Sequence, residues 1–228
     1  MIIHQLSVFV ENRPGHLIAP CRLLAEADFD RAADLGLNAL RLSVEWSRIE
    51  PEPGVFSRDA LARYAEMMRS LRRRGIEPLV TLHHFTDPLW LTDLGGWENP
   101  LVSDYFSRFV TRVVDALGDQ VTFWCTINEP IVYAFYGYKD GRFPPGATSL
   151  RRAVNVLRNM LLAHGRAYRT IHRIQGGARV GLAHHMRYFL PANPASAADR
   201  RVTALMDQFA NRSTLEAITT GRLTPPIG

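Results

Sequence analysis

Apolar positions along this chain fall into two alternating patterns. Short runs in which neighbours face opposite ways, or in which nearly every position is apolar, read as strands. Longer stretches with an apolar residue every third or fourth position read as helices. Residues 2–10 form a strand-like opening, with Leu6, Val8 and Val10 on one face and Ile3 and Phe9 on the other. Glu11-Asn12-Arg13-Pro14-Gly15 turns the chain by its proline and glycine. A helix is predicted from about residue 16, with Leu17, Cys21, Leu24, Phe29, Ala32, Ala33 and Leu35 inward and Gly36 as its stop. Asp28 interrupts that stripe and marks a candidate break into two shorter helices.

Residues 38–44 read as the second strand. Ser57 caps a helix whose Leu61, Tyr64, Ala65, Met68 and Leu71 form one stripe, closed by Gly75. Residues 78–83 are the third strand. Pro100 opens a helix with Tyr105, Phe106, Phe109, Val110, Val113 and Leu117 inward, and Gly118 ends it. The fourth strand covers 121–127. Residues 131–148 read as a long polar and aromatic loop. A long helix over about 149–173 is expected to bury Val154, Leu157, Leu161 and Tyr168, and 179–184 is the fifth strand. Residues 197–219 look helical, with Pro225 and Pro226 beyond them. Strand and helix alternate throughout without a change of composition, which implies an α/β fold with a parallel sheet. Five strands are too few to close an eight-stranded barrel, which typically takes about 250 residues.

Composition narrows the class. At 228 residues the chain can bury one large core or two small ones, and 46% hydrophobic content is ordinary for a soluble globular protein. No apolar run reaches the length of a membrane span, so no membrane partner is expected. Glu11, Asn12 and Arg13 interrupt the N-terminus too early for a signal peptide. Cys21 and Cys125 lie far apart, which suits a reducing cytoplasm and supplies neither a disulfide framework nor a zinc spacing. The net charge of +5 raises nucleic acid as a partner. The positives are mostly arginines on helix faces and ends, however, as in Arg72-Arg73-Arg74 before Gly75, where they complement a helix C-terminus. No basic run is interleaved with aromatics, and nucleic acid is not an expected partner.

The chemistry concentrates at strand ends. The fourth strand runs into Thr126-Ile127-Asn128-Glu129-Pro130. A carboxylate where a parallel strand meets its loop is where an α/β barrel keeps its active site. Asn128 and Glu129 together can bind a sugar hydroxyl and protonate a glycosidic oxygen. The plainer alternative is a surface glutamate ahead of a turn-starting Pro130. Arg41 lies inside the second strand and needs an acidic partner there, either a structural ion pair or a catalytic carboxylate. Trp46 reads as core, and Glu45 with Arg48 as an internal pair. His83 and His84 point to opposite faces and so do not share a metal; one can face the mouth and bind a hydroxyl while the other packs. His184 and His185 repeat the arrangement at the fifth strand, where a structural role is favoured. Trp90, Trp97 and Trp124 read as packing. No phosphate-binding glycine loop, His-Glu-x-x-His or nucleophile-elbow serine occurs, and no cofactor or metal is implied.

From residue 28 onward the chain resembles the family-one glycoside hydrolases, the β-glucosidase family of the (β/α)8 barrels. The resemblance is carried by Leu35-Gly36-Leu37-Asn38-Ala39-Leu40-Arg41-Leu42-Ser43-Val44-Glu45-Trp46-Ser47-Arg48-Ile49, by Thr81-Leu82-His83-His84-Phe85, by Gly95-Gly96-Trp97-Glu98-Asn99, by Thr126-Ile127-Asn128-Glu129-Pro130 and by Thr220-Gly221-Arg222. It implies a partial TIM barrel over 29–228 and β-glycoside or oligosaccharide substrates. It implies that Glu129 is the acid/base, that Asn128 holds the sugar's 2-hydroxyl, that His84 binds the glycone and that Arg41 sits against the nucleophile. Phe85 stands where the family usually has tryptophan. Two departures go with it: the family's first-strand glutamine motif has no counterpart, and its Thr-Glu-Asn-Gly nucleophile motif is absent. A retaining glycosidase needs two carboxyl groups about 5 Å apart. Glu129 is one; Glu11 is a weak stand-in for the other. The expectation is a β-glucosidase-type hydrolase lacking its nucleophile half, or else a non-catalytic half barrel, with open sheet edges that invite self-association. Residues 1–28, with Ser7-Val8-Phe9-Val10-Glu11-Asn12-Arg13-Pro14-Gly15-His16-Leu17, resemble instead the opening strand and helix of an ACT domain.

Overall fold

A computed structural model of the protein describes residues 4–5 and 20–223. Strand and helix alternate in chain order: β1 (His4–Gln5), α1 (Pro20–Asp34), β2 (Ala39–Ser43), a single turn α2 (Trp46–Ile49), α3 (Arg58–Arg73), β3 (Glu77–His83), α4 (Leu89–Asp93), α5 (Val102–Leu117), β4 (Phe123–Asn128), α6 (Pro130–Tyr138), α7 (Leu150–Ile174), β5 (Arg179–Ala183), α8 (Ala197–Asp207) and α9 (Ser213–Thr220). A π-helical turn, Gln208–Arg212, joins the last two. The five strands form one sheet in sequence order, every neighbouring pair parallel. This is the sheet of an incomplete (β/α)8 barrel.

The sheet is apolar because a parallel strand is covered on its faces rather than exposed on one. In β4, every residue after Phe123 is buried. Trp124 and Thr126 face α7: the indole Nε1 donates to Gln175 Oε1 at 3.0 Å, and the Thr126 hydroxyl meets His164 Nδ1 at 2.7 Å. The core continues into a cluster of rings, in which Trp46 stacks on Phe109 at 5.0 Å and 21° and also meets Phe106. Trp46 is thus core, as its sequence context implies. Glu50 is fully buried beneath it. Its carboxylate accepts from Trp46 Nε1 and Gly54 N, each at 2.8 Å, and pairs with Arg108, so the buried charge is answered on every side. Ser57 caps α3 as predicted, its hydroxyl accepting from Ala60 N at 3.2 Å. Ser57→Ala is expected to cost about 1 kcal/mol, read as a lower urea midpoint.

Four expectations change. Residues 131–148 are not all loop: Pro130 takes the first helical position of α6. That helix is apolar or aromatic nearly all round, burying Ile131, Tyr133, Ala134 and Tyr138, so it carries no amphipathic stripe for a sequence reading to find. In α1 the helix runs through Asp28 unbroken, because Asp28 lies at the surface and pairs with Arg31 at 2.6 Å. In α7 Leu157 and Leu161 are buried as expected, on a face with Ala153, Val156, Met160, His164, Ala167 and Ile171, while Tyr168 is 44% exposed and Val154 only partly buried. Arg72 and Arg74 do more than complement their helix end. Arg72 donates to Gln120 O at 2.9 Å and pairs with Glu77, and Arg74 reaches Asp30, so both tie α3 to neighbouring elements.

Of the predicted first strand, His4 and Gln5 are described, paired with Leu40 and Arg41. The turn at 11–15 and most of the ACT-like segment 1–28 lie outside the described residues. Apart from His4 and Gln5 in β1, the described part of that segment belongs to α1, whose Ala25, Phe29 and Ala32 form one apolar cluster with Leu40, Leu71 and Ile76. At the other end, β5 is the edge strand among the described residues. Met186, Tyr188 and Leu190 beyond it, and Val202, Leu205 and Met206 on α8, are exposed. Among the described residues no helix is long and apolar enough to cross a membrane, and no cluster of three or more His, Cys, Asp or Glu is placed to hold a metal.

Candidate active site

The site begins with an irregularity in β4. Cys125 pairs with Gly181 and Asn128 with Ala183, so three steps on β4 match two on β5. Strict alternation would send Cys125 and Asn128 to opposite faces; the irregularity turns Asn128 to the face of Cys125. Arg41 Nη2 donates to both, to Asn128 Oδ1 at 2.6 Å and to Cys125 Sγ at 3.6 Å, while its Nε donates to Thr81 Oγ1 at 2.8 Å. The acidic partner expected for Arg41 is not found among the described residues. Three neutral groups orient the guanidinium in its place, and its charge is left to act on whatever lies before it. Burial raises the Cys125 thiol above its ordinary range despite that charge.

Glu129 follows at φ 44°, ψ 61°, in the left-handed region, with its backbone N donating to Ala183 O at 2.8 Å. Phe85, at the end of β3, has φ 68°. Among the described residues these are the two non-glycine residues with positive φ. Such a conformation is strained for a side chain with a Cβ and persists where surrounding structure enforces it, as at functional sites.

His84 stands between Arg41 and Phe85. Burial, then the charges of Arg41 and His83, push it from 6.5 down to about 4. The ring is therefore neutral near neutrality and can both donate to and accept from a hydroxyl. Its edge meets Phe85 at 5.1 Å. His83 turns the other way, as adjacent strand residues should. It is buried, with Nε2 3.1 Å from Asp87 Oδ1. Asp87 also accepts from Trp97 Nε1 at 2.9 Å and from Tyr133 OH at 2.5 Å. Burial alone would raise its carboxyl, but the charge and hydrogen bond of His83 and the bonds from Tyr133 and Trp97 outweigh it and hold the group below its usual range. This hub, which ties the β3 end to α6, was not legible in sequence; the one hint is an acid four residues after a strand-end histidine. Trp97 and Trp124 pack, as expected, and Trp90 is partly buried with Nε1 on Glu50 O. Glu45 does not pair with Arg48: it accepts from Ser47 Oγ at 3.0 Å and Thr86 Oγ1 at 2.9 Å.

The second histidine pair divides. His184 Nε2 meets Asn211 O at 3.1 Å and takes the structural role expected of it. His185 instead lies with Nδ1 3.9 Å from Glu129 Oε1, both side chains about one-third exposed. Sequence patterning gave no reason to separate the two. A groove of about 460 Å³ runs down the sheet beneath this rim, lined by Arg41, Leu79, Phe123, Cys125, Arg179 and Ala183 among others. It shares only Arg41 with the candidate residues, so it is the open interior of the half barrel rather than the site itself.

A second buried histidine makes the fold pH-sensitive. Burial pushes His164 from 6.5 down to about 4. Because the native value lies below the unfolded one, the unfolded chain binds protons that the native chain does not as pH falls from about 6.5 to about 4. Stability from this source is intact above that window, declines through it and levels off below. His164→Gln is expected to flatten the acid limb of the urea midpoint against pH.

Asn128 and Arg41 are thus in direct contact, His84 feels the Arg41 charge and meets Phe85 edge-on, and Glu129 continues from Asn128 with His185 on its flank. The arrangement offers one carboxylate at a strand end, a neutral imidazole able to donate or accept, an oriented amide and a cation. Among the described residues no carboxylate pairs with Arg41. Residues 24–225 match the family described as Glycosyl hydrolase family 1. Beta-glucosidase A of Acetivibrio thermocellus is 34% identical over 198 residues, covering 86% of this chain and 44% of that protein. In structure, the beta-glycosidase from Pyrococcus horikoshii superposes with a TM-score of 0.84 at 36% identity, over 90% of this chain and 47% of that one. The beta-glucosidase from Thermotoga maritima in complex with deoxynojirimycin does so with a TM-score of 0.86 at 31% identity, over 90% and 46%. The chain spans just under half the length of these relatives. Its matched region includes every candidate site residue and extends into the segment expected to be ACT-like, and on that extent of agreement the chain belongs to glycosyl hydrolase family 1.

Proposed function

We propose that this chain supplies the acid/base half of a β-glucosidase-type retaining O-glycosyl hydrolase acting on β-glycosides in the cytoplasm. The observation that carries the proposal is Glu129 itself. It is held in the left-handed region at the C-terminal end of a parallel strand, beside an asparagine oriented by Arg41 at 2.6 Å. In this reading Glu129 protonates the leaving oxygen and then deprotonates water. Asn128 holds the 2-hydroxyl, neutral His84 binds the glycone, and Phe85 gives the ring an apolar wall. The nucleophilic carboxylate comes from polypeptide outside the described residues and stands against Arg41. The open β5 edge and the exposed apolar residues around α8 favour contact with further polypeptide, including another copy. An ACT-type amino-acid-binding role at the N-terminus gains no support from the described residues.

A second reading, a non-catalytic half barrel with weak sugar binding, is favoured by the lack of any carboxylate partner for Arg41 among the described residues. An assay with a chromogenic β-glucoside separates the two. The chain is assayed alone and mixed with a polypeptide carrying the rest of a family-one barrel. Turnover in either form that is lost in Glu129→Gln supports the enzyme. A folded chain with no turnover in both forms supports the half barrel.

A further inference from the structure

We propose that His185 is the positioning residue for Glu129, locked as its Nδ1–H tautomer by Arg187 and aimed by Asn211. The inference rests on the acid/base reading of Glu129 for its purpose, though not for its geometry. Arg187 Nε donates to His185 Nε2 at 3.0 Å. A guanidinium N–H can only donate, so Nε2 must offer its lone pair, and in a neutral imidazole the proton then resides on Nδ1. Nδ1 is the atom that faces Glu129 Oε1, at 3.9 Å. That separation is longer than a hydrogen bond, and the proposal requires the two partly exposed side chains to close it by rotation.

The segment that presents His185 is pinned on both sides by one buried residue. Asn211 Oδ1 accepts from Arg187 N at 3.0 Å, and Asn211 Nδ2 donates to Arg187 O at 2.6 Å. The backbone oxygen of Asn211 accepts from His184 Nε2 at 3.1 Å. His184 is therefore the opposite tautomer, Nε2–H, with Nδ1 buried and without a partner among the described residues. Asn211 sits in the π-helical turn, a distortion that recurs at functional positions, and its amide is steadied by Asp207 Oδ1 at 2.7 Å. The charged and titratable groups around the pair are Arg187 and His184 on the β5 side and Glu129 on the β4 side; Asp207 is engaged by Asn211 and Arg212.

A histidine with only a packing role needs no particular tautomer and no cationic partner. Here the guanidinium fixes a neutral N–H donor towards one carboxylate oxygen. The other oxygen is left for proton transfer, and the Arg187 charge is kept one ring away from the carboxylate.

The test is ¹⁵N long-range NMR of the histidine rings in the full chain, above the usual imidazole titration range. His185 is expected to show a protonated Nδ1 and a bare Nε2, and His184 the reverse. Arg187→Met, at an exposed position, is expected to return His185 to the Nε2–H form that an unconstrained imidazole prefers and to leave His184 unchanged. Glu129→Gln is expected to shift the His185 Nδ1 resonance, whereas Glu45→Gln is not. A wild-type His185 in the Nε2–H form, or an Nδ1 resonance indifferent to Glu129→Gln, overturns the proposal. Neither measurement depends on turnover. A failed tautomer test beside Glu129-dependent hydrolysis removes only this inference, and a confirmed tautomer in a chain without hydrolysis removes only the enzymatic reading.

Discussion

Glu129→Gln is expected to lower kcat/KM for a β-linked disaccharide by about 10²–10⁴-fold, the usual range for loss of a general acid/base. The chain is to be measured mixed with a polypeptide carrying the rest of a family-one barrel. The choice of substrate decides what the measurement reads. An alkyl or sugar leaving group departs as a poor alkoxide unless its oxygen is protonated, so the full loss appears there. A nitrophenyl leaving group needs little help, and the same substitution then slows chiefly the step in which water is deprotonated. Glutamine preserves the shape of the side chain, so a comparable urea midpoint would show that the loss is chemical. A variant as fast as the parent on the disaccharide would rule out Glu129 as the proton donor.

Asp87→Ala is expected to destabilise the fold by about 3–5 kcal/mol, the scale for stranding the partners of a buried charge. One carboxylate accepts hydrogen bonds from Trp97 and Tyr133 and meets His83 Nε2, and removing it leaves an indole N–H, a phenol and an imidazole without that partner in a nearly dry space. Asp87→Asn, which keeps one acceptor oxygen, should lose less. Urea denaturation followed by tryptophan fluorescence measures both. The local effect falls on the site as well. Phe85 holds φ 68° between His83 and Asp87, and nothing in its own backbone preference maintains it. A loosened hub should let that residue relax and shift its ring from His84 and Tyr133. A midpoint unchanged in Asp87→Ala would mean that the three donors find other partners.

Much of this architecture could be read along the chain because the physical signals are local. The stripe on α3 and its Ser57 cap, the aromatic stripe on α5 and the near-continuous apolar run of β4 each arise from the spacing of a few adjacent residues. The placement of Asn128 and Glu129 at a strand end, and of His84 and Phe85 at another, followed from the same spacing. The helix α6 was missed because apolar residues surround it and erase the period. On α7 Leu157 and Leu161 were placed rightly, but Tyr168, large and apolar in body, lies against His172 at the surface instead of inside.

By itself the amino-acid order determined a parallel α/β sheet, the strand ends that carry chemistry and the family to which those ends are similar. Only the tertiary structure decided which of two adjacent histidines turns to Glu129, that Asn128 shares a face with Cys125, that Arg41 is held by neutral groups, and that Asp87 gathers three donors. These outcomes depend on register between strands and on partners up to 87 residues apart along the chain. Alternation and helical period describe one element at a time. They carry no record of a bulge that shifts β4 against β5, or of a turn at Asn211 that folds back to meet the chain after β5.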